Sequence, residues 1–354
     1  GLELQVRLNV LNVAAATLRY PCSLLLLCIT DMDYEEFFLY QAGVVLIELL
    51  VAMVLVYAVL PVAQRWRLAF SSVELRKVLP FALSVAYVSA VSALVVQVDR
   101  MVFSGVLPLA EFGYLTTVTL IATGIVQLGG PVVQALIPRL TALHAREGDD
   151  AFRRMYLDGS EALAILIAPI AVTIAFFGMP LLTLWTGDAE AARWGAPPLF
   201  WYALGSLSMT YATGPYLLQY VRGDLRLHTW FLSAVLLLQT PVLVLLAIYH
   251  GVLLVAIAWC LFRVVDLLLW GAFIHGRFAP GLYKPWLRRC LGPVLTSLLV
   301  VVPAYGLLGF WEPRGVGAQL MFLGGVGAAT AFVTLAFSPL GRRQLGELWS
   351  RVMV

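Results

Sequence analysis

The sequence predicts an all-α polytopic membrane protein of about ten transmembrane helices, on three observations. Of its 354 residues, 61% are hydrophobic and 12% charged, with a mean hydropathy of +0.91, more apolar surface than one globular core can bury. Apolar stretches close to the roughly 20 residues that a bilayer demands recur along nearly the whole chain. The ten-residue alternation of a barrel strand is missing, which leaves helices as the spanning elements.

In order, the pattern places spans at 9–29, 37–60, 78–98, 112–136, 162–184, 199–221, 230–249, 252–274, 291–310 and 318–337. The first carries Arg19 in its middle. The second follows Glu35-Glu36 and stops at Pro61. The third holds Ala82, Ala86 and Ala90 at spacing four, a small-residue stripe for tight packing, and closes on Asp99-Arg100. The fourth follows Glu111, is interrupted at Gly129-Gly130-Pro131 and ends before Pro138-Arg139. From Arg139 to Asp158 a basic connection reads as a surface helix with Leu140, Leu143, Phe152 and Tyr156 among its charges. Pro197-Pro198 opens the sixth span, only His250 and Gly251 part the seventh from the eighth, and Pro280 and Pro313 punctuate the remainder.

Charge alternates from one connection to the next. Arg65, Arg67, Arg76 and Lys77 join the second and third spans, and Arg139, Arg146, Arg153 and Arg154 the fourth and fifth. Arg222 and Arg226 follow, then Arg277, Lys284, Arg288 and Arg289, then Arg342, Arg343 and Arg351 in the tail. The intervening connections carry Asp31, Asp33, Glu35 and Glu36, or Asp188 and Glu190, or little charge. Basic loops stay on the cytoplasmic side, so both ends of the chain are expected there.

The net charge of +3, with no basic run interleaved with aromatics, gives no sign of a nucleic-acid partner. Cys22, Cys28, Cys260 and Cys290 lack metal-ligand spacing and read as inert thiols. No phosphate loop, His-Glu-x-x-His or Gly-x-Ser-x-Gly is present, so neither cofactor nor enzymatic chemistry is expected. Asp31-Met32-Asp33 admits two readings: a metal-bridged sugar-phosphate site, as in a membrane glycosyltransferase, or a solvated acidic loop that obeys topology.

The sharpest feature is Arg263, near the midpoint of the eighth span, with Asp266 three residues on. A guanidinium there costs on the order of 2.5–3.5 kcal/mol to insert and faces other helices or water. Either the two residues neutralise each other and join helices, or they serve a cavity. Glu48, Gln97, Gln127, Gln134, Gln219 and Gln239 add polar groups to the apolar spans.

From Asp99 the run DRMVFSGVLPLAEFGYLTTVTLIATGIVQLGGPVVQALIPRLTALHA is similar to a segment of bacterial polysaccharide-export flippases, in the multidrug, oligosaccharidyl-lipid and polysaccharide exporter superfamily. Asp99-Arg100, Gly113-Tyr114 and Pro138-Arg139 look like that family's Asp-basic pair, Gly-Tyr opening and Pro-Arg step. LLTLWTGDAEAARWGAPPLFWYALGSL and GVLLVAIAWCLFRVVDLLL resemble its later helices, so that the likeness covers most of 1–278. The resemblance implies two six-helix lobes around a central cavity, with about four helices ahead of Gly1. On it, 1–75 would close the first lobe, 76–278 form the second and 279–354 add a helix pair and tail. It also implies a bacterial cytoplasmic membrane and a lipid-linked oligosaccharide substrate, with a polymerase or glycosyltransferases as partners. Arg263, Arg100, Arg19 and Arg139 with Gln127 and Gln134 would bind substrate, and Asp266 and Asp99 would couple a proton or sodium ion. The alternatives are a cation-coupled drug antiporter, for which a cavity of acids and aromatics is expected, and a glycosyltransferase or polymerase using Asp31 and Asp33.

Overall fold

The structure, a computed structural model, describes residues 5–30, 33–59, 72–73, 75–76, 79, 82–83, 86–87, 90–91, 101–145, 149–308 and 315–343. Of the described residues 94% are helical, and no strand occurs among them. It divides into two compact units, Gly1–Leu79 and Pro80–Val354.

In the first unit, α1 (Gln5–Thr17) and α2 (Ser23–Ile29) are joined by a π-helical turn at Leu18–Cys22, and α3 (Tyr34–Val59) packs beside them. Pro21 accounts for the turn, because it lacks an N–H and its ring crowds the carbonyl one turn back; the helix widens instead of breaking. α3 supplies donors to that stretch: the Tyr40 hydroxyl donates to Leu18 O at 2.7 Å, and Gln41 Nε2 to Arg19 O at 3.1 Å. In lipid no water can take their place. Asp33 caps α3, its Oδ1 accepting from Tyr34 N at 2.7 Å.

In the second unit, the described helical residues between 82 and 91 precede a helical stretch at 101–106, followed by α4 (Leu109–Ala145), α5 (Asp149–Phe176), α6 (Gly178–Thr186) and α7 (Ala189–Tyr211). Then come α8 (Thr213–Val221), α9 (Arg226–Ala234), α10 (Thr240–Val265), α11 (Gly271–Phe278), α12 (Tyr283–Leu308) and α13 (Val316–Phe337). π-helical turns at Val235–Gln239 and Asp266–Trp270 link α9 to α10 and α10 to α11.

Seven helical runs among the described residues are long and apolar enough to cross a bilayer. One of them, Arg226–Phe278, has 53 residues, well beyond one span, and Gly251 breaks it with φ 79° and ψ −179°. That backbone region is nearly glycine-only. The break separates two spans, as the sequence pattern has it, and nine of the expected ten spans fall on described helices. Most of the third, 78–98, lies outside the described residues; its Ala82, Ala86 and Ala90 are helical and exposed, not packed together.

Three local expectations are corrected. Gly129-Gly130-Pro131 does not interrupt its span, because α4 runs through it; Gly129 serves close packing, where a Cβ would meet Thr210 Cγ2 at 2.9 Å and Leu163 Cδ1 at 3.1 Å. The connection after Arg139 is no separate surface helix. α4 continues to Ala145 and α5 starts at Asp149, with Leu140, Phe152 and Tyr156 drawn into the core. The sixth span starts at Ala189, ahead of Pro197-Pro198, because Asp188 Oδ1 caps α7 by accepting from Glu190 N at 2.7 Å and Ala191 N at 3.3 Å.

α7 is the central helix of this unit, packed against α4, α5, α6 and α10 and buried on several faces. Its small residues allow that approach: at Gly195 a Cβ would stand 3.0 Å from both Leu182 Cδ1 and Val118 Cγ2. At one end Tyr156, Ile167, Leu218, Ile274 and Trp286 form the core; at the other, Phe103, Leu115, Val118, Leu199 and Val255 do. Val172 and Phe177 of the α5 region pack with Val301 and Val326, which ties α12 and α13 to α5.

Candidate functional site

Three helices each contribute one face to a cavity of 230 Å³. Thr116, Thr119 and Thr123 come from α4, Tyr202 and Ser206 from α7, and Trp259 and Arg263 from α10. Spacings of three, four and seven put each set on one side of its helix. Phe103 and Phe112 complete an aromatic wall.

Arg263 Nη2 donates to Gln239 Oε1 at 2.5 Å and lies 3.2 Å from Asp266 Oδ2. Its guanidinium carbon stands 6.0 Å from the Trp259 ring centre, and that ring lies 5.4 Å from Tyr202. The Arg263 and Asp266 side chains keep only 15% and 21% of their exposure. Asp266 Oδ2 is buried and takes no hydrogen bond, so the ion pair is its sole contact of this kind among the described residues. Gly205 makes room for Trp259, whose ring would collide with any Cβ placed there. Each of the three π-helical turns among the described residues contains a polar intramembrane residue noted in the sequence: Arg19, Gln239 or Asp266. Such widened turns concentrate at functional sites.

The α4 hydroxyls of Thr116 and Thr119 donate to Phe112 O at 2.8 Å and Thr116 O at 3.0 Å, so they turn acceptor lone pairs toward the cavity. Beyond them, Gln127 and Gln134 continue the face. Thr116, Thr123, Gln127 and Gln134 are all exposed, and at about 100° per residue they fall within about 40° of one another. They mark a polar track about 27 Å long at 1.5 Å per residue, close to the thickness of a hydrocarbon core. An exposed amide stripe in a membrane span calls for water or other polar groups opposite it.

The remaining expected site residues are dispersed. Arg139 is exposed on α4, about 30 Å along the helix from Thr119. Arg19 lies in the first unit, where Glu48 pairs with its guanidinium. Asp99 and Arg100 lie outside the described residues, as does Asp31; Asp33 is exposed and caps a helix. No cluster of metal-ligating side chains occurs among the described residues. Thr116, Thr119, Thr123, Tyr202, Ser206 and Trp259 are not singled out from the sequence, although steps of seven, four and seven residues lead from Gln134 through Gln127 and Thr123 to Thr116.

Fold and cavity together define a multi-pass α-helical membrane protein with a polar, aromatic-walled recess at the level of its intramembrane arginine. Residues 34–190 match the family model of polysaccharide biosynthesis proteins, which agrees with the family resemblance and supports a role in polysaccharide biosynthesis or export. The match includes the α4 track and stops before Tyr202, Trp259 and Arg263. No curated protein and no solved structure matches the chain.

Proposed function

We propose that the chain carries a polyprenyl-diphosphate-linked oligosaccharide from the inner to the outer leaflet of a bacterial cytoplasmic membrane by alternating access, with both termini cytoplasmic. The observation that carries this reading is the bilayer-long polar track of Thr116, Thr123, Gln127 and Gln134, whose Thr116 and Thr123 also line the Arg263 cavity. Hydroxyls and amides suit sugar hydroxyls, aromatic faces suit sugar rings, and a guanidinium in low dielectric pairs strongly with phosphate oxygens. No bond is made or broken, and no cofactor takes part.

In the resting arrangement Asp266 and Gln239 hold Arg263. An arriving diphosphate competes with Asp266 for the guanidinium, and a proton taken up by the released carboxylate would couple the cycle to an ion gradient. The flanking π-helical turns at Val235–Gln239 and Asp266–Trp270 supply register that can tighten as the lobe rocks. The lipid tail stays in the bilayer throughout.

The test is reconstitution. Vesicles holding the purified protein and a fluorescent polyprenyl-diphosphate oligosaccharide should expose inner-leaflet sugar to an external, impermeant quencher faster than protein-free vesicles. Equal rates would refute the reading. A second reading, a cation-coupled drug antiporter, draws on the aromatic wall of Phe103, Phe112, Tyr202 and Trp259 and on Asp266, the ion-pair partner of the cavity's Arg263. Efflux of an aromatic cation such as ethidium from the same vesicles, without sugar transfer, would favour it.

A further inference from the structure

A second cavity, of 760 Å³, lies where α5, α12 and α13 meet, and the transport reading makes no use of it. Its α12 wall is one face of the helix: Lys284, Arg288, Gly292 and Thr296 follow one another at intervals of four. Arg342, from the turn after α13, joins the rim. Lys284, Arg288 and Arg342 are exposed and make no ion pair among the described residues.

A clamp fixes this rim. Glu161, 1% exposed, binds Arg289 Nη1 through Oε2 at 2.5 Å and accepts from Leu340 N through Oε1 at 3.0 Å. Asp158 takes Arg289 at 2.7 Å and Arg343 at 2.9 Å. The two acids are thereby engaged by Arg289 and Arg343, and the cavity is left with a surplus of positive charge.

Away from the rim the polar atoms are satisfied internally. Thr296 Oγ1 donates to Pro293 O at 3.0 Å, and Ser297 Oγ donates to Pro293 O at 2.7 Å and meets Thr334 Oγ1 at 3.2 Å. What remains for an occupant is methyl groups, Phe337 and the open space beside Gly292, where a Cβ would meet nothing within 4 Å. From Lys284 to Thr296 the crevice runs about 18 Å along α12, from a cationic mouth into an apolar interior.

We propose that this crevice binds an anionic phospholipid, with its phosphate on Lys284, Arg288 and Arg342 and an acyl chain along Gly292 and Thr296. A soluble anion would use the mouth and leave the interior without purpose. The lipid fits both, and basic pockets between membrane helices suit such headgroups. The inference stands apart from the transport reading, and either can fail alone.

The experiment is native mass spectrometry of the purified chain titrated with equal amounts of phosphatidylglycerol and phosphatidylcholine. The wild-type protein should retain phosphatidylglycerol preferentially. The variant Lys284→Gln/Arg288→Gln/Arg342→Gln should lose about fivefold of that preference per charge removed. Gly292→Leu, which changes no charge and has room for its side chain, should lose one retained phosphatidylglycerol, whereas Arg288→Lys should keep it. A control, Arg153→Gln/Arg154→Gln/Arg226→Gln, removes equal charge elsewhere and should leave the preference intact. Equal losses in both triple variants would reduce the effect to general surface attraction and overturn the site. Full retention by Gly292→Leu, or displacement of the lipid by millimolar inorganic phosphate, would overturn the lipid assignment.

Discussion

Gln239 and Arg263 stand twelve residues either side of Gly251 and share a hydrogen bond of 2.5 Å. That relationship makes α10, which bends back at Gly251, a hairpin with the arginine about 18 Å from its tip, near the middle of a bilayer. Gly251 holds φ 79° with ψ −179°, so Gly251→Ala should cost roughly 1–3 kcal/mol and lower the melting temperature in detergent. Because no atom lies within 4 Å of a Cβ there, the loss would report backbone conformation and not crowding.

The ion pair can be separated from its use. Arg263→Ala leaves Asp266 without its ion-pair partner and should destabilise the protein by somewhat less than the roughly 3–5 kcal/mol of a fully buried pair. Arg263→Met/Asp266→Leu removes both charges and should recover most of that stability. If the pair merely joined helices, transport would return with stability; if Arg263 holds substrate, transport stays lost. Thermal melting and vesicle transport on the same preparations decide.

Gly205→Ala drives a methyl group into the Trp259 ring and should lower stability by about 1–3 kcal/mol, with transport falling alongside. Gly113→Ala, on an open face of α4, should leave both unaltered. Melting curves of the two variants give the comparison, and equal losses would remove Trp259 from the packing argument.

Along α4, the residues of the track should meet water. Cysteine at Thr123, Gln127 or Gln134 should react with a membrane-impermeant thiol reagent in vesicles. Cysteine at Leu128, about 100° round the helix from Gln127, should not. Gln127→Leu should reduce transport without lowering the melting temperature, since its amide is exposed and supports no core contact.

Helices and their number were largely legible because a bilayer fixes their length, and the Arg263–Asp266 pair because three residues is one helical turn. In the sequence Gln239 is one amide among several in the apolar spans, since its role depends on where the chain reverses, and Gly251 shows that only through its backbone angles. The start of α7 was hidden for a related reason. Glu190, Arg193, Pro197 and Pro198 lower hydropathy and look like a loop, yet Asp188 caps a helix that neighbouring helices bury. Glu161 stayed unnoticed because its partners, Arg289 and Leu340, are 128 and 179 residues away. Arg19 was a fair candidate by charge alone, and only packing reveals that Glu48 answers it.

The role proposed for Arg263 is to hold the anionic part of a transported glycolipid. It is tested most directly by surface polysaccharide in a flippase-deficient bacterium expressing the wild-type chain, Arg263→Lys or Arg263→Ala at equal protein level. Export is expected with the wild type, reduced export with lysine, which keeps the charge but not the bidentate fork, and none with alanine. Export by Arg263→Ala at the wild-type level would contradict it.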